Sequence, residues 1–148
     1  MNEFNDIEKV KKLFEKEKGN GKENIYFVAY KDMQKSSGMV SGMEYPYEGL
    51  LLNINENGIG MFYLNQPGLV LTQNIEKMNL DKDSYVFISN DKIDEIKIKN
   101  YALLNSKVKR IEIKTNNKMN YKLFAKINEK NIPYQEENFI KFIEKYNK

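Results

Sequence analysis

The sequence of 148 residues contains no cysteine, no histidine and no tryptophan. Without these side chains the chain cannot form a disulfide, a thiol redox centre, a zinc site of His and Cys, or a nucleophile paired with histidine. The chemistry that remains is that of carboxylates, lysine, tyrosine and hydroxyl groups. The composition therefore excludes the commonest pairs of nucleophile and base.

Long apolar runs are missing as well. Apolar runs such as those at residues 50–52 and 68–71 are far shorter than the roughly 20 residues that a membrane-spanning helix needs. The first six residues have neither the basic nor the apolar region of a signal peptide. Because no cysteine points to an oxidising compartment, we expect a cytoplasmic protein without integral membrane association.

Arginine is nearly absent, since Arg110 is the only arginine among 24 basic residues. The 21 acidic residues leave a net charge of +3. Bidentate recognition of phosphate and guanine favours arginine over lysine. The abundance of Lys, Asn and Ile is also typical of proteins translated from A+T-rich genomes. We therefore expect no specific nucleic-acid binding.

The apolar content is sufficient for one core, with 41% hydrophobic and 12% aromatic residues. A chain of this length typically forms one domain that needs no metal or disulfide. No repeat, low-complexity tract or linker divides it. We assign residues 1–22 to an N-terminal helix and joint, and residues 23–148 to an antiparallel domain of the same unit.

An amphipathic helix is predicted from Asp6 to Lys18, with Asn5 as its N-cap and Gly19 after its end. Its apolar residues recur at helical spacing: Ile7, Val10, Leu13 and Phe14. This stripe has two interpretations. It either covers the sheet of its own domain or is a contact surface for another molecule.

Asn57 and Gly58 lie between two apolar segments and predict a tight hairpin, because both tolerate the positive φ of the favoured turns. The spacing of Asn53, Asn55 and Asn57 is similar to the start of a calcium loop. The twelfth position of that loop is Leu64 instead of glutamate, so we expect no calcium site. The sequence predicts no other metal and no cofactor.

Strands are predicted from β-branched and aromatic residues between turn signals. They cover residues 24–30, 48–54, 59–64, 69–71, 85–89, 93–99, 108–115 and 119–127. In the last four, apolar and polar residues alternate, which predicts an antiparallel meander with one buried and one solvated face.

The solvated face of this meander carries six cationic residues. They are Lys97, Lys99, Arg110, Lys114, Lys122 and Lys126. They form a candidate anion-binding face, with Phe124 as a candidate stacking residue. Glu95 and Glu112 share the face and neutralise part of its field, which favours the alternative of an ordinary solvated sheet face.

Residues 31–44 form the longest stretch without a periodic pattern. Loops of this length are often functional, and flexible methionine side chains suit an adaptable contact surface. The alternative is a loop that packs on its own domain. Together with the helix stripe, the candidate interaction surface consists of Met33, Met39, Met43, Tyr45, Tyr47, Ile7, Val10 and Phe14.

A second helix is predicted from Pro133 to Tyr146, since proline suits the first helical position and acidic residues follow it. Its apolar face includes Phe139, Phe142 and Ile143. Few solvated helices have so wide an apolar face, so we expect this helix to pack on the sheet.

Successive antiparallel strands followed by one amphipathic helix resemble the pleckstrin-homology-like group, in particular its small bacterial members. The resemblance rests on residues 85–89, 93–98, 121–125 and 139–143, and it covers about residues 24–148. It implies an α+β fold: a partly closed antiparallel barrel of seven to eight strands, capped by the C-terminal helix. The N-terminal amphipathic helix is additional.

The lipid-binding members of this group carry lysine and arginine after their first strand. This chain has only Lys31 and Lys35 there, so no phosphoinositide site is expected. The resemblance instead implies contacts with proteins, including copies of the same chain, through the barrel surface or a strand edge.

Three functional classes remain open. The first, which we favour, is a non-enzymatic binding or scaffold module that acts through protein–protein contact, including self-association, because no motif pairs a nucleophile with a base. The second is a small carboxylate- or metal-dependent enzyme, with Asp91 and Asp94 as the candidate pair. The third is a Lys-rich sheet face that binds an anionic ligand or nucleic acid.

Overall fold

The structure is a computed structural model that describes residues 3–31, 49–66, 74–102, 105–117 and 120–146. Its helices are α1 (Ile7–Glu15) and α2 (Gln135–Tyr146), with short 3-10 helices at Ile75–Lys77 and Asn90–Lys92. Its strands are β1 (Ile25–Lys31), β2 (Gly49–Asn55), β3 (Gly58–Asn65), β4 (Asn79–Leu80), β5 (Val86–Ser89), β6 (Ile93–Ala102), β7 (Asn105–Thr115) and β8 (Asn120–Lys126). Within these ranges no helix is both long enough and apolar enough to span a membrane.

The eight strands form one antiparallel sheet that is not closed. The strand order is β4-β3-β2-β1-β8-β7-β6. Strand β5 also pairs with β3, along residues 58–61, whereas β4 pairs with β3 at residues 64 and 65. The predicted α+β fold class is therefore confirmed, with an open antiparallel sheet and a C-terminal helix. The predicted strand at residues 69–71 lies outside the described residues.

Both helices are shorter than predicted, and α1 also ends at Glu15 instead of Lys18. Helix α1 follows Asp6, whose carboxylate accepts the Glu8 N–H at 2.9 Å, so Asp6 is the N-cap instead of Asn5. Helix α2 begins at Gln135 instead of Pro133. The reason is that Tyr134 is buried in a separate cluster, where its hydroxyl donates to the carbonyl of the N-terminal segment.

The β2–β3 hairpin departs from the predicted turn. Its two turn residues are Glu56 and Asn57, and Gly58 already pairs with Asn55. Among the described non-glycine residues, only Asn131 has a positive φ, so the predicted turn with positive φ at Asn57 is wrong. Gly58 has φ +147°, and a Cβ atom there would lie 2.1 Å from the carbonyl oxygen of β5. The glycine is therefore required by the approach of β5.

The sheet has two faces, each with its own apolar cluster. We call the face that contacts α2 the inner face; it includes Phe27, Ile111 and Leu123, packed against Phe139 and Phe142 of the helix. We call the opposite face the outer face. On β1–β3 it contacts α1, and there the sheet is covered on both sides, since all seven residues of β2 are buried.

Strand β1 changes partners along its length. It pairs with β2 from Ile25 to Tyr30, but with β8 only at Tyr30 and Lys31. At Val28, which β8 does not reach, the side-chain amide of Gln135 takes the place of a neighbouring strand. Its oxygen accepts the Val28 N–H at 2.8 Å, and its nitrogen donates to the Val28 carbonyl at 3.0 Å. Asn138 accepts the neighbouring Tyr26 N–H at 2.9 Å. Side chains of helix α2 therefore provide the hydrogen-bond partners for backbone groups on this edge of β1.

Candidate contact surface

Five residues of the predicted interaction surface lie outside the described residues: Met33, Met39, Met43, Tyr45 and Tyr47. Their role as an adaptable contact surface stays a prediction.

The stripe of α1 contacts the chain's own sheet. Val10 and Phe14 are fully buried on the outer face of β1–β3, and Ile7 is half-buried. The ring centroid of Phe14 lies 5.6 Å from that of Tyr26 and 5.0 Å from that of Phe62. Val10 and Phe14 are therefore not accessible to another molecule in this conformation, in line with the first of the two interpretations.

A buried amide network fixes the joint after α1. Asn55 donates to the Gly19 carbonyl at 2.7 Å and to the Asn24 side chain at 3.1 Å. It also donates to the side chain of Asn53 at 2.9 Å. Asn53 and Asn55, whose spacing is similar to a calcium loop, therefore use their side-chain amides in hydrogen bonds that fix the joint, because buried amides need hydrogen-bond partners.

The register of β6–β8 sets the predicted cationic residues on one continuous face. Lys99 lies opposite Arg110, and Arg110 lies opposite Phe124. Phe124 in turn lies opposite Tyr30, so this face continues directly into the covered outer face of β1. The outer face is covered by the chain's own segments on β1–β3 and carries charged side chains on β6–β8.

The charges on this open part are mixed, with an excess of cations. Glu95 lies 3.8 Å from Lys97 and 3.6 Å from Lys114, and Glu112 lies 3.8 Å from Lys99. Such exposed ion pairs contribute little to stability. Six cations against two carboxylates leave an excess of four positive charges on this face, whereas the whole chain carries +3. The positive charge of the protein is therefore concentrated here.

Phe124 marks the boundary between the covered and the open part. Its ring stacks on Tyr30 with a centroid distance of 5.2 Å and an interplanar angle of 27°. It is half-buried, while Tyr30 is only 2% exposed. The predicted stacking residue therefore already has an aromatic partner within the chain.

A half-buried carboxylate, that of Glu129, lies at the same boundary, and sequence reasoning missed it. The Tyr30 hydroxyl donates a hydrogen bond to the Glu129 carboxylate, and the Lys126 ammonium lies 5.7 Å from the centre of the Tyr30 ring. Burial raises the pKa of Glu129, although the Tyr30 hydrogen bond and the Lys126 charge oppose this. One Glu129 oxygen is buried without a hydrogen-bond partner among the described residues.

This carboxylate predicts a pH dependence of stability. Because the folded chain raises the pKa of Glu129 above its ordinary value of 4.5, protonation favours the folded state. The stabilisation is complete below the unfolded-state pKa and is lost as the pH rises through the folded-state pKa. We expect the stability of Glu129→Gln relative to wild type to increase from acidic to neutral pH, as measured by urea unfolding at several pH values.

Glu56 provides a control of opposite sign. Its carboxylate accepts the backbone N–H of Lys22 at 2.6 Å and of Glu23 at 3.1 Å, and these bonds lower the pKa of Glu56. Its contribution is present above the unfolded-state pKa and is lost as the pH falls through the folded-state pKa. The relative stability of Glu56→Gln should therefore decrease from acidic to neutral pH. Equal slopes for the two variants would contradict the assignment.

The candidate carboxylate pair of the enzyme hypothesis lies between β5 and β6. Asp91 belongs to the second 3-10 helix and accepts a hydrogen bond from the Ser89 hydroxyl, while Asp94 is exposed at the start of β6. Across the described ranges, no three acidic side chains gather as a metal site would require.

Comparison with known proteins adds no relative to this picture: no protein-family model, curated protein or solved structure matches the chain. The resemblance to pleckstrin-homology-like domains rests on the order of the strands and the helix, and it stays a prediction. A function for this chain must therefore be derived from the site itself.

Proposed function

We propose that this chain is a non-enzymatic binding module that acts through protein–protein contact, and that its contact surface is the outer face of β6–β8. The observation that carries the proposal is that the described residues cover one continuous sheet face unequally. Helix α1 and the segment before α2 bury this face on β1–β3. On β6–β8 the same face carries the chain's concentrated positive charge.

The distribution of charge favours a protein partner over nucleic acid. Glu112 lies at the centre of the face, directly between Lys97 on β6 and Lys122 on β8. A polyphosphate backbone that follows the lysines would approach this carboxylate at close range. A protein surface can instead present acidic residues to the lysines and a donor to the glutamate, which is the usual form of electrostatic complementarity.

Site-specific photocrosslinking tests this proposal in cells. Asn120 is exposed at the start of β8, so a benzoylphenylalanine there samples the outer face without removing a cation. The matched control carries the same photoreactive residue at the exposed position of Lys9 on α1. We expect nuclease-resistant adducts with a defined protein from position 120 and none from position 9.

The captured protein is then purified and its dissociation constant for the full chain is measured. We expect Lys122→Glu combined with Lys126→Glu to weaken binding by about tenfold or more, since charge reversal removes the electrostatic attraction. Lys9→Glu combined with Lys12→Glu gives the same change in net charge and should have little effect. Adducts that nuclease removes would assign the face to nucleic acid. Equal adducts from positions 120 and 9 would contradict the proposal.

A further inference from the structure

Strand β6 ends the sheet with a long open edge. In the part of the chain that the structure describes, β6 pairs with β7 on one side and with no strand on the other. It has ten residues, whereas β4 at the opposite end of the sheet has two. An edge of this length presents unpaired backbone N–H and C=O groups that can accept another strand.

The side chains of β6 are complementary to themselves in the antiparallel direction. A twofold axis at Lys97 sets Glu95 opposite Lys99 of a second copy, and Lys99 opposite Glu95 of that copy. The same axis sets Ile96 opposite Ile98 on the inner face, again twice. We infer that β6 pairs with β6 of a second copy about this axis, so that two sheets join edge to edge.

Neighbouring registers lack at least part of this complementarity. An axis at Ile98 would set Lys97 opposite Lys99, so that like charges face each other. An axis at Ile96 would keep an ion pair between Glu95 and Lys97, but it would set Ile98 opposite Asp94, an apolar residue against a carboxylate. A register shifted by one residue would set apolar side chains of one copy opposite the charged side chains of the other. Of these registers, only the one with the axis at Lys97 has two ion pairs between Glu95 and Lys99 together with two apolar pairs between Ile96 and Ile98.

The regularity of β6 agrees with this register. Its pairing with β7 is irregular between Ile93 and Glu95 and again between Asn100 and Ala102. The uninterrupted part therefore runs from Glu95 to Asn100, with Lys97 near its middle. Ile96 and Ile98 are half-buried, so a second strand would cover apolar surface that now faces solvent.

One pair in this register is unfavourable. Lys97 lies opposite Lys97 of the second copy, which limits the affinity of the dimer. The Glu95 carboxylate of the same chain lies 3.8 Å from the Lys97 ammonium and reduces the repulsion. We therefore expect an equilibrium of monomer and dimer that depends on concentration.

Sedimentation velocity of the full chain from about 1 µM to about 1 mM tests the inference. We expect the sedimentation coefficient to rise with concentration toward that of a dimer. Glu95→Lys and Lys99→Glu each set two like-charged pairs across the axis, so each single variant should weaken dimerisation by about tenfold. The double variant exchanges the charges and should restore it. Lys97→Thr should strengthen dimerisation severalfold, because it removes the repulsive pair.

The matched control is Lys9→Glu, which is exposed on α1, away from the edge and from the proposed contact surface. Circular dichroism establishes that every variant is folded. A monomer over the whole concentration range would overturn the inference. So would an equal loss of dimer in Lys9→Glu, or a double variant that stays monomeric while folded.

This inference rests on the proposed function but can fail separately from it. If the chain is a monomer and still forms the protein adducts from position 120, self-pairing is wrong and contact with a different protein stands. If the β6 variants change dimerisation as expected while position 120 forms no adducts, the outer face proposed for foreign partners is wrong and self-pairing stands.

Discussion

Replacing Phe139 by alanine is expected to lower the free energy of unfolding by about 3–5 kcal/mol. The Phe139 ring is fully buried on the inner face, with its centroid 4.9 Å from that of Phe27 and 6.1 Å from that of Phe142. Truncation removes these contacts and leaves a cavity between α2 and the sheet. Urea unfolding followed by circular dichroism measures the loss.

Ile140 is the matched control, since it is the next residue of the same helix and is 39% exposed. Ile140→Ala should change the free energy of unfolding by no more than about 0.5 kcal/mol. A loss below about 1 kcal/mol for Phe139→Ala would contradict the assignment of α2 as the cover of the inner face.

Gln135→Leu should have an effect of similar size for a different reason. Leucine keeps most of the volume, but it removes both hydrogen bonds to Val28 and the 2.9 Å bond to the Lys126 carbonyl. An unsatisfied buried backbone group costs about 1–3 kcal/mol, so we expect a loss of about 3 kcal/mol or more from the free energy of unfolding. Urea unfolding again gives the value.

Two further variants separate this effect from helix propensity. Glu136 is exposed beside Gln135, and Glu136→Leu should change stability little. Asn138→Ala removes the bond from the Tyr26 N–H and the bond to the Tyr134 carbonyl, so it should cost less than Gln135→Leu, which removes three. If Gln135→Leu and Glu136→Leu cost the same, the side-chain bonds to β1 do not stabilise the fold.

The elements of this fold could be predicted because their apolar residues repeat with the period of a strand or a helix. Ile111 and Ile113 alternate with charged residues, and both are buried on the inner face as predicted. What the alternation could not show is which part of the outer face is covered. One signal was available, since the consecutive leucines 50–52 are typical of a strand buried on both faces.

The residues that fix the architecture gave no periodic signal. Gln135 is an ordinary residue near a helix start, and its role depends on Val28, which lies 107 positions earlier. Asn53 and Asn55 have the spacing of metal ligands, but they face a joint that only the folded chain brings to them. Local sequence cannot encode partners that the topology selects.

The same holds for the candidate contact surface. Alternation was sufficient to place Lys97, Arg110 and Lys122 on one face, and the strand register agrees. The half-buried Glu129 was not predicted, because an acidic residue in a polar loop is expected to be exposed. Its hydrogen-bond partner is Tyr30, a distant residue at the end of β1.

The closure of β1 by α2 has a consequence for how the chain folds. The bonds that complete this edge join residues 107 and 112 positions apart, and the bond from Tyr134 to the Phe4 carbonyl spans 130 positions. Contacts between such distant residues form late, because the entropy of closing a long loop is lost before the contact is gained. During synthesis β1 emerges long before Gln135. Until α2 is made and packs on the sheet, the edge of β1 at Val28 is unpaired and can join strands of other unfinished chains. The helix that completes the fold therefore also removes an edge at which incomplete chains can aggregate.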